Sequence, residues 1–375
     1  MYIITIIVYI LIIVFFSIQL ISLFAINRPK PIVKVGSKEL PKVSLLLAAR
    51  NEEALIMRSL KAIEALDYPK DKIEVLIGND SSTDRTEELV NTFIQDKDSY
   101  KLFQIDKNLG KARGKANVLA HLAKQASGEF YFITDVDVKL PQGWIKSLLQ
   151  QFETPEVGIV SGTSTCEPNT SFFSTLQSID WLHFMGYIQS FANIGVACTS
   201  VGNNMAVRSK AYWETGGYEN IDFSITEDYK LFQEVTRLGW DWRTILDKDS
   251  LGLAWYIPKV LEMWHQRKRW LIGAKELPLN WKFMLILYGL FVPCLFYTFI
   301  QCVWFGLTIW FVKFVIQSIY IKVLCKKVGL KSFNLLELLV YEFYVLGNTL
   351  MTAIFYMLPI KSVWKGRIYH QKDLT

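Results

Sequence analysis

The chain has 375 residues, enough for one large catalytic domain together with several membrane segments. Apolar residues make up 51% of it and gather towards the two ends, while the middle has the make-up of an ordinary globular domain. The formal charge of +6 lies largely beside the apolar ends, and no basic stripe with interleaved aromatics crosses the middle, which argues against nucleic acid as a partner.

Residues 1–27 carry no charged side chain, and Tyr2 to Ile26 is long enough to cross a hydrocarbon core, which takes about 20 residues. A cleaved signal peptide wants a basic start and a small-residue cleavage site, whereas this segment starts uncharged and ends in Ile26-Asn27-Arg28-Pro29. A retained N-terminal anchor is expected, with Lys30, Lys34 and Lys38 on the cytoplasmic side.

Residues 40–250 alternate between apolar strands and helical periodicity. Strands are predicted at Val43–Ala48, Ile73–Ile77, Lys101–Ile105 and Glu129–Thr134, with helices at Glu53–Leu66, Thr86–Ile94 and Ala116–Gln125. This rhythm predicts an α/β domain whose mostly parallel sheet is covered on both faces. In such sheets ligands bind in the crevice outside the carboxyl ends of the strands, so the residues after each strand are the candidates.

Those residues are Arg50-Asn51-Glu52-Glu53, then Asn79-Asp80 through Asp84, then the glycine- and lysine-rich run to Gly114-Lys115, then Asp135-Val136-Asp137. Helix capping alone accounts for Asn51 or Ser82. It does not account for Asp135 and Asp137, which point the same way in extended backbone and repel until a cation relieves them. Mg2+ or Mn2+ takes one or two carboxylates plus phosphate oxygens, and Lys115 supplies a compact cation for a diphosphate or base. No P-loop and no dinucleotide-binding glycine pattern occurs. The five cysteines form no metal-type spacing and read as free thiols, and the four histidines lack ligand spacing.

Thr226-Glu227-Asp228 opens a further helix, and Thr226 as N-cap with two acids in the first turn is a complete structural explanation by itself. Residues 251–282 mix Trp, Leu and Met with the cations of Trp264-His265-Gln266-Arg267-Lys268-Arg269-Trp270, the pattern of interfacial helices. The aromatic segment Phe172 to Phe191 reads equally as a packed helix and as a membrane-docking one. Residues 283–360 hold a long apolar block, Phe283 to Ile321, and a second one, Leu335 to Ile360, making two or three membrane helices before a basic tail at 361–375. If the long block is one helix, the link of Lys322, Lys326, Lys327 and Lys331 lies outside; if two, the link lies inside and the tail outside.

Taken in order, Asn79-Asp80 with Asp84, Asp135-x-Asp137, Glu227-Asp228 and Gln266-x-x-Arg269-Trp270 resemble the signature of membrane-bound family-2 glycosyltransferases. That branch includes cellulose, hyaluronan and poly-N-acetylglucosamine synthases and ceramide glucosyltransferase. The resemblance covers about residues 40–275 and implies a GT-A fold, a UDP-sugar donor, a divalent metal and inversion at the anomeric carbon. It gives Asp80 to the nucleoside, Asp137 with Asp135 to the metal and diphosphate, and Asp228, beside Glu227, to general-base work. Gln266, Arg269 and Trp270 are implied to close over the leaving diphosphate and line the acceptor site. Arg50, Glu52 and Lys115 complete the expected donor site. Asn79 stands where many relatives have a first Asp, so that role rests on Asp80.

The expected enzyme therefore moves a sugar to a lipid or lipid-linked acceptor at the cytoplasmic face, in contact with membrane lipids. A processive polysaccharide synthase is the alternative, for which few spans make a thin channel. A catalytically dead scaffold is a third reading, against which the retained acids stand.

Overall fold

The structure, a computed structural model, describes residues 2–28, 39–359, 362–364 and 367–369. Lys30, Lys34, Lys38 and, of the basic tail, residues 361, 365, 366 and 370–375 lie outside the described residues. The chain opens with α1 (Tyr2–Ala25) and enters the α/β domain at β1 (Val43–Ala49). There follow α2 (Ile56–Glu64), β2 (Ile73–Asn79), α3 (Thr86–Ile94), β3 (Tyr100–Gln104), α4 (Gly114–Gln125) and β4 (Phe130–Asp135).

Val43, Leu45, Leu47 and Ala49 of β1 pack on one face of the sheet with Ile56, Leu60 and Ile63 of α2. Leu46 packs on the other face with Val118, Leu119 and Leu122 of α4. Side chains alternate along a strand, so a strand buried on both faces must be apolar throughout. That is why β1 reads as an apolar run that is interrupted only by the buried Ser44, whose hydroxyl donates to Glu74, and that stops at Arg50. All four expected strands form, and β2 and β4 run on to include Asn79 and Asp135. The helix expected from Glu53 starts only at Ile56, because the preceding residues are engaged in loop hydrogen bonds.

After β4 come β5 (Val138–Lys139), α5 (Trp144–Leu149), β6 (Val157–Ser161), β7 (Ser164–Cys166), α6 (Phe172–Asn193), β8 (Asn204–Arg208) and α7 (Ser209–Glu214). The domain closes with α8 (Glu227–Arg237), β9 (Asp241–Thr244), β10 (Gly252–Ala254) and α9 (Val260–Gly273). The main sheet has seven strands in the order β3-β2-β1-β4-β8-β6-β9. Its pairings are parallel except where β8 runs antiparallel to both β4 and β6. A second sheet, β5-β10-β7, sits just beyond Asp137.

The apolar C-terminal part forms α10 (Leu279–Gln301), α11 (Val303–Val328) and α12 (Leu335–Met357), then a hairpin of β11 (Ser362–Trp364) and β12 (Arg367–Tyr369). The long apolar block is thus two helices that meet at Cys302. Helices α1, α10, α11 and α12 are each long and apolar enough to cross a membrane. The aromatic segment is α6, and it is packed rather than free: Ile179, Leu182 and Tyr187 share a cluster with Tyr320, Ile321 and Leu324 of α11. All five cysteines are free thiols.

Candidate active site

Register places the expected donor residues side by side. Ala49 pairs with Asn79 across β1 and β2, and Ala48 pairs with Asp135 across β1 and β4. The turns that follow therefore converge on one edge of the sheet. The Arg50 guanidinium donates to the Asp80 carbonyl at 2.5 Å and lies 3.9 Å from the Asp80 carboxylate. The Asp80 peptide N–H donates to Ala49 O at 2.9 Å, so the acid is held directly above the end of β1. Glu52 is buried, and its N–H donates to Thr86 Oγ1 at 2.7 Å.

Asn79 has its own work. Its amide donates to Gln104 at 2.8 Å and Glu87 at 3.3 Å, while its carbonyl accepts from Ser82 N–H at 3.2 Å. An aspartate cannot donate to those two neighbours, which explains the departure from the family pattern. Asn51 and Ser82 do not cap helices; they tie the first two turns together, Asn51 N–H donating to Ser82 Oγ at 3.0 Å and Asn51 Oδ1 accepting from Thr83 N–H at 2.8 Å.

Lys115, in the first turn of α4, links the two halves of the site. Its Nζ lies 2.6 Å from Asp135 Oδ1 and 3.2 Å from Glu227 Oε1, and donates to Gly202 O at 3.0 Å. Burial disfavours its charge, yet Asp135, Glu227 and Asp228 more than compensate and hold its pKa above the ordinary lysine value. Asp228 Oδ2 accepts from Gly202 N–H at 2.7 Å, and Oδ1 from Tyr229 N–H at 2.8 Å. Burial, then the neighbouring Glu227 charge, pushes Asp228 up to about 6, with Lys115 pulling the other way. Gly202 is required at this spot, since a Cβ there would stand 2.8 Å from Asp228 Cβ.

The capping account of Thr226 does not hold. Its side chain makes no capping bond to α8; it shares a hydrogen bond with Ser224 Oγ at 3.1 Å. The acids of the first turn instead face Lys115 and Gly202.

Asp137 lies at the turn into β5. Arg58 of α2 donates to its carbonyl at 3.0 Å and to Leu253 O at 3.1 Å, and pairs with Glu167 at 2.6 Å. The Trp255 N–H donates to the same Asp137 carbonyl at 2.8 Å. Asp137 Oδ1 is buried without a hydrogen-bond partner, and burial followed by the charge of Asp135 pushes its pKa up to about 7. Such an orphaned carboxylate oxygen beside a second carboxylate fits a divalent cation. Among the described residues no group of three or more His, Cys, Asp or Glu is placed to hold a metal. The residues present therefore suit an ion that draws its other ligands from a phosphate and water.

Gln266, Arg269 and Trp270 lie on α9, which is fastened at both ends. At its start, β10 joins the small sheet beside Asp137. At its end, Gly273 packs so closely on Thr226 that a Cβ would meet Thr226 Cγ2 at 2.4 Å, and Glu276 accepts from Ser224 Oγ at 3.0 Å. The Trp270 ring meets Trp181 of α6 edge-on at 5.3 Å, with the Arg267 guanidinium over it at 5.0 Å. Arg267 in turn pairs with Asp180. His265 packs its ring against Phe355 of α12 at 5.5 Å.

Sequence reasoning missed Arg58, Glu167 and Asn204. Asn204 is fully buried, donates to Thr163 O and Ser250 O at 2.8 Å, and accepts from Trp144 Nε1 at 2.7 Å.

Residues 4–373 match the family described as glycosyl transferase family 21. The poly-beta-1,6-N-acetyl-D-glucosamine synthase of Staphylococcus epidermidis is 27% identical over 252 residues, 66% of this chain and 58% of that protein. The probable glycosyltransferase YdaM of Bacillus subtilis is 30% identical over 266 residues, 68% of this chain and 60% of that protein. The chain thus spans about three fifths of the length of these relatives. The structure of the mannosyltransferase PcManGT from Pyrobaculum calidifontis, in complex with GDP-Man and Mn2+, is similar with a TM-score of 0.57 at 18% identity. That likeness covers 94% of this chain and 98% of that one, and it bears out the GT-A-like fold. With the sheet, its crevice and the match over nearly the whole length in agreement, the chain is a glycosyltransferase and belongs to glycosyl transferase family 21.

Proposed function

We propose that this glycosyltransferase moves a sugar from a UDP-sugar to a lipid or lipid-linked acceptor, with inversion, at the cytoplasmic face of a membrane that it crosses several times. The observation that carries the reading is the single lysine, Lys115, held between Asp135 on the donor side and Glu227 beside Asp228 on the other. It ties together the two acidic turns that, on this reading, would serve the diphosphate and the base.

Arg50 and Asp80 would hold the nucleoside, with Glu52 ordering the turn beneath them. Asp137, with Asp135, would hold Mg2+ or Mn2+, which when bound supplies positive charge against the diphosphate. Mn2+ accompanies GDP-Man in the Pyrobaculum mannosyltransferase, which supports a metal and leaves the nucleobase to be chosen. In the transfer, the acceptor hydroxyl oxygen attacks the anomeric carbon and its proton passes to Asp228 as the carbon–oxygen bond to the diphosphate breaks. Asp228 suits a general base because burial has raised its pKa towards the working pH. Gln266, Arg269 and Trp270 would cover the departing diphosphate and border the acceptor, on a helix tied to both halves.

A polysaccharide product is the second reading, favoured by the relatives named poly-beta-1,6-N-acetyl-D-glucosamine synthase. A panel of UDP-sugars offered with membrane lipid extract, with products read by mass spectrometry, separates the two. The lipid reading expects one sugar added per acceptor. A ladder of long oligomers would replace it with the polymer reading.

A further inference from the structure

We infer that α12 does not cross the membrane but lies in its surface on the catalytic side, so that of the four long apolar helices among the described residues three span it, α1, α10 and α11. This rests on the reading of the chain as a multi-pass membrane protein.

The three spans share one habit. Their near ends are fastened to the catalytic domain: Ser190 and Asn193 of α6 donate to Ser22 O and Ala25 O of α1, and Trp281 of α10 donates to Ala197 O. Leu324 of α11 presses on Gly186, where a Cβ would stand 2.4 Å from it. Their far parts touch one another, as in Phe15 stacked on Phe291 at 4.0 Å and Thr5 bonded to Tyr297 at 2.6 Å. The far tips are bare, with Tyr2 84%, Ile300 81% and Trp304 79% exposed.

Helix α12 has no such free end. Before it, Phe333 is buried in the cluster that holds Leu176 and Leu251 of the catalytic domain. Along it, Tyr341 bonds to His183 at 3.2 Å and to Asp180 at 3.3 Å, and the Tyr344 hydroxyl lies 3.3 Å from Met263 Sδ. Near its end, Phe355 packs on Trp264 and His265, and Leu358 O accepts from Lys268 Nζ at 2.7 Å. A helix of 23 residues reaches about 34 Å and a hydrocarbon core is about 30 Å thick. A rod with both ends on one body cannot also put one end across that core.

The outer face of α12 shows what covers it. Leu336, Phe343, Leu350, Ile354 and Met357 are exposed and recur every three, four or seven residues, one stripe of the helix. The opposite stripe, Leu338, Tyr341, Val345 and Phe355, is buried. An apolar stripe backed by a protein surface fits the boundary between headgroups and acyl chains of that leaflet. This arrangement also settles the charges. With four spans, the lysines at 322–331 and the cations after residue 360 fall on opposite sides; with three, both stay on the catalytic side, as cationic segments prefer. It also clamps α9, with Gln266, Arg269 and Trp270, between the catalytic domain and the lipid surface.

The test is labelling of sealed right-side-out and inside-out vesicles with a membrane-impermeant maleimide. Of the five native cysteines only Cys302, at the α10–α11 turn, is exposed, and it reports the far side. In a Cys302→Ala background, Lys210→Cys reports the catalytic side and Pro359→Cys reports the end of α12. We expect Pro359→Cys to be labelled in the same vesicles as Lys210→Cys, and protected in those that label Cys302. Labelling together with Cys302 overturns the inference, as does labelling only after detergent. Cys302 labelled from the Lys210→Cys side would instead remove the multi-pass reading itself.

Discussion

At the scale of single residues the site is a balance of a few charges. Asp228 gains a raised pKa from burial and from Glu227, and Lys115 opposes both. Below that pKa the carboxyl is protonated and cannot take a proton from an acceptor, so kcat/KM should fall as pH drops through about 6. Removing the Glu227 charge removes one of the raising causes. Glu227→Gln should therefore shift the acid limb to lower pH, while Lys115→Met should shift it upward and weaken turnover. A pH–rate profile of the three proteins checks this; an acid limb that Glu227→Gln leaves in place would separate it from Asp228.

At the scale of elements, α9 gathers the site because it is fastened to two loops at once. Its end rests on Thr226, one residue before Glu227, and Gly273 makes that approach possible. Gly273→Ala would by helix propensity alone stabilise α9, but its Cβ must displace Thr226 or the helix end. We expect a loss of about 1–3 kcal/mol, seen as a lower Tm, with a larger proportional fall in kcat than in stability. Thr226→Ser removes the methyl that is struck and should recover part of both. An unchanged Tm and kcat in Gly273→Ala would show the contact to be slack. This contact also marks where sequence reading stops. The strands and their terminal acids were legible because a sheet buried on both faces imposes an apolar run and a polar stop. Asp135 and Asp137 stood out for that reason, whereas Glu227 and Asp228 open a helix and were singled out by the family resemblance. Arg58, Asn204 and the meeting of Gly273 with Thr226 were not, since each acts on partners remote in sequence and none has a local pattern. Thr226 misled in a different way: its residue type fits a cap, but its hydroxyl is shared with Ser224 just before the helix. Apolar length likewise could not tell α12 from a span, because only its neighbours show that both ends return to one body.

At the scale of the whole molecule, a sheet with a charged crevice rides on a bundle of apolar helices, and α6, α9 and α12 lie between them. On the proposed reading the residues at the carboxyl edge of the sheet would supply the transfer chemistry, and the apolar helices would hold it at a membrane surface, where a lipid-borne acceptor would be found. On the proposed function, the carboxyl edge of the sheet breaks a nucleotide-sugar bond with Asp228 as base and a divalent ion at Asp135 and Asp137. Release of UDP by the purified chain, with Mn2+ and membrane lipid, tests that most directly. The wild type should release UDP, Asp228→Asn should do so about 10²–10⁴-fold more slowly, and EDTA should abolish release. Equal release by wild type and Asp228→Asn, or full release in EDTA, would contradict it.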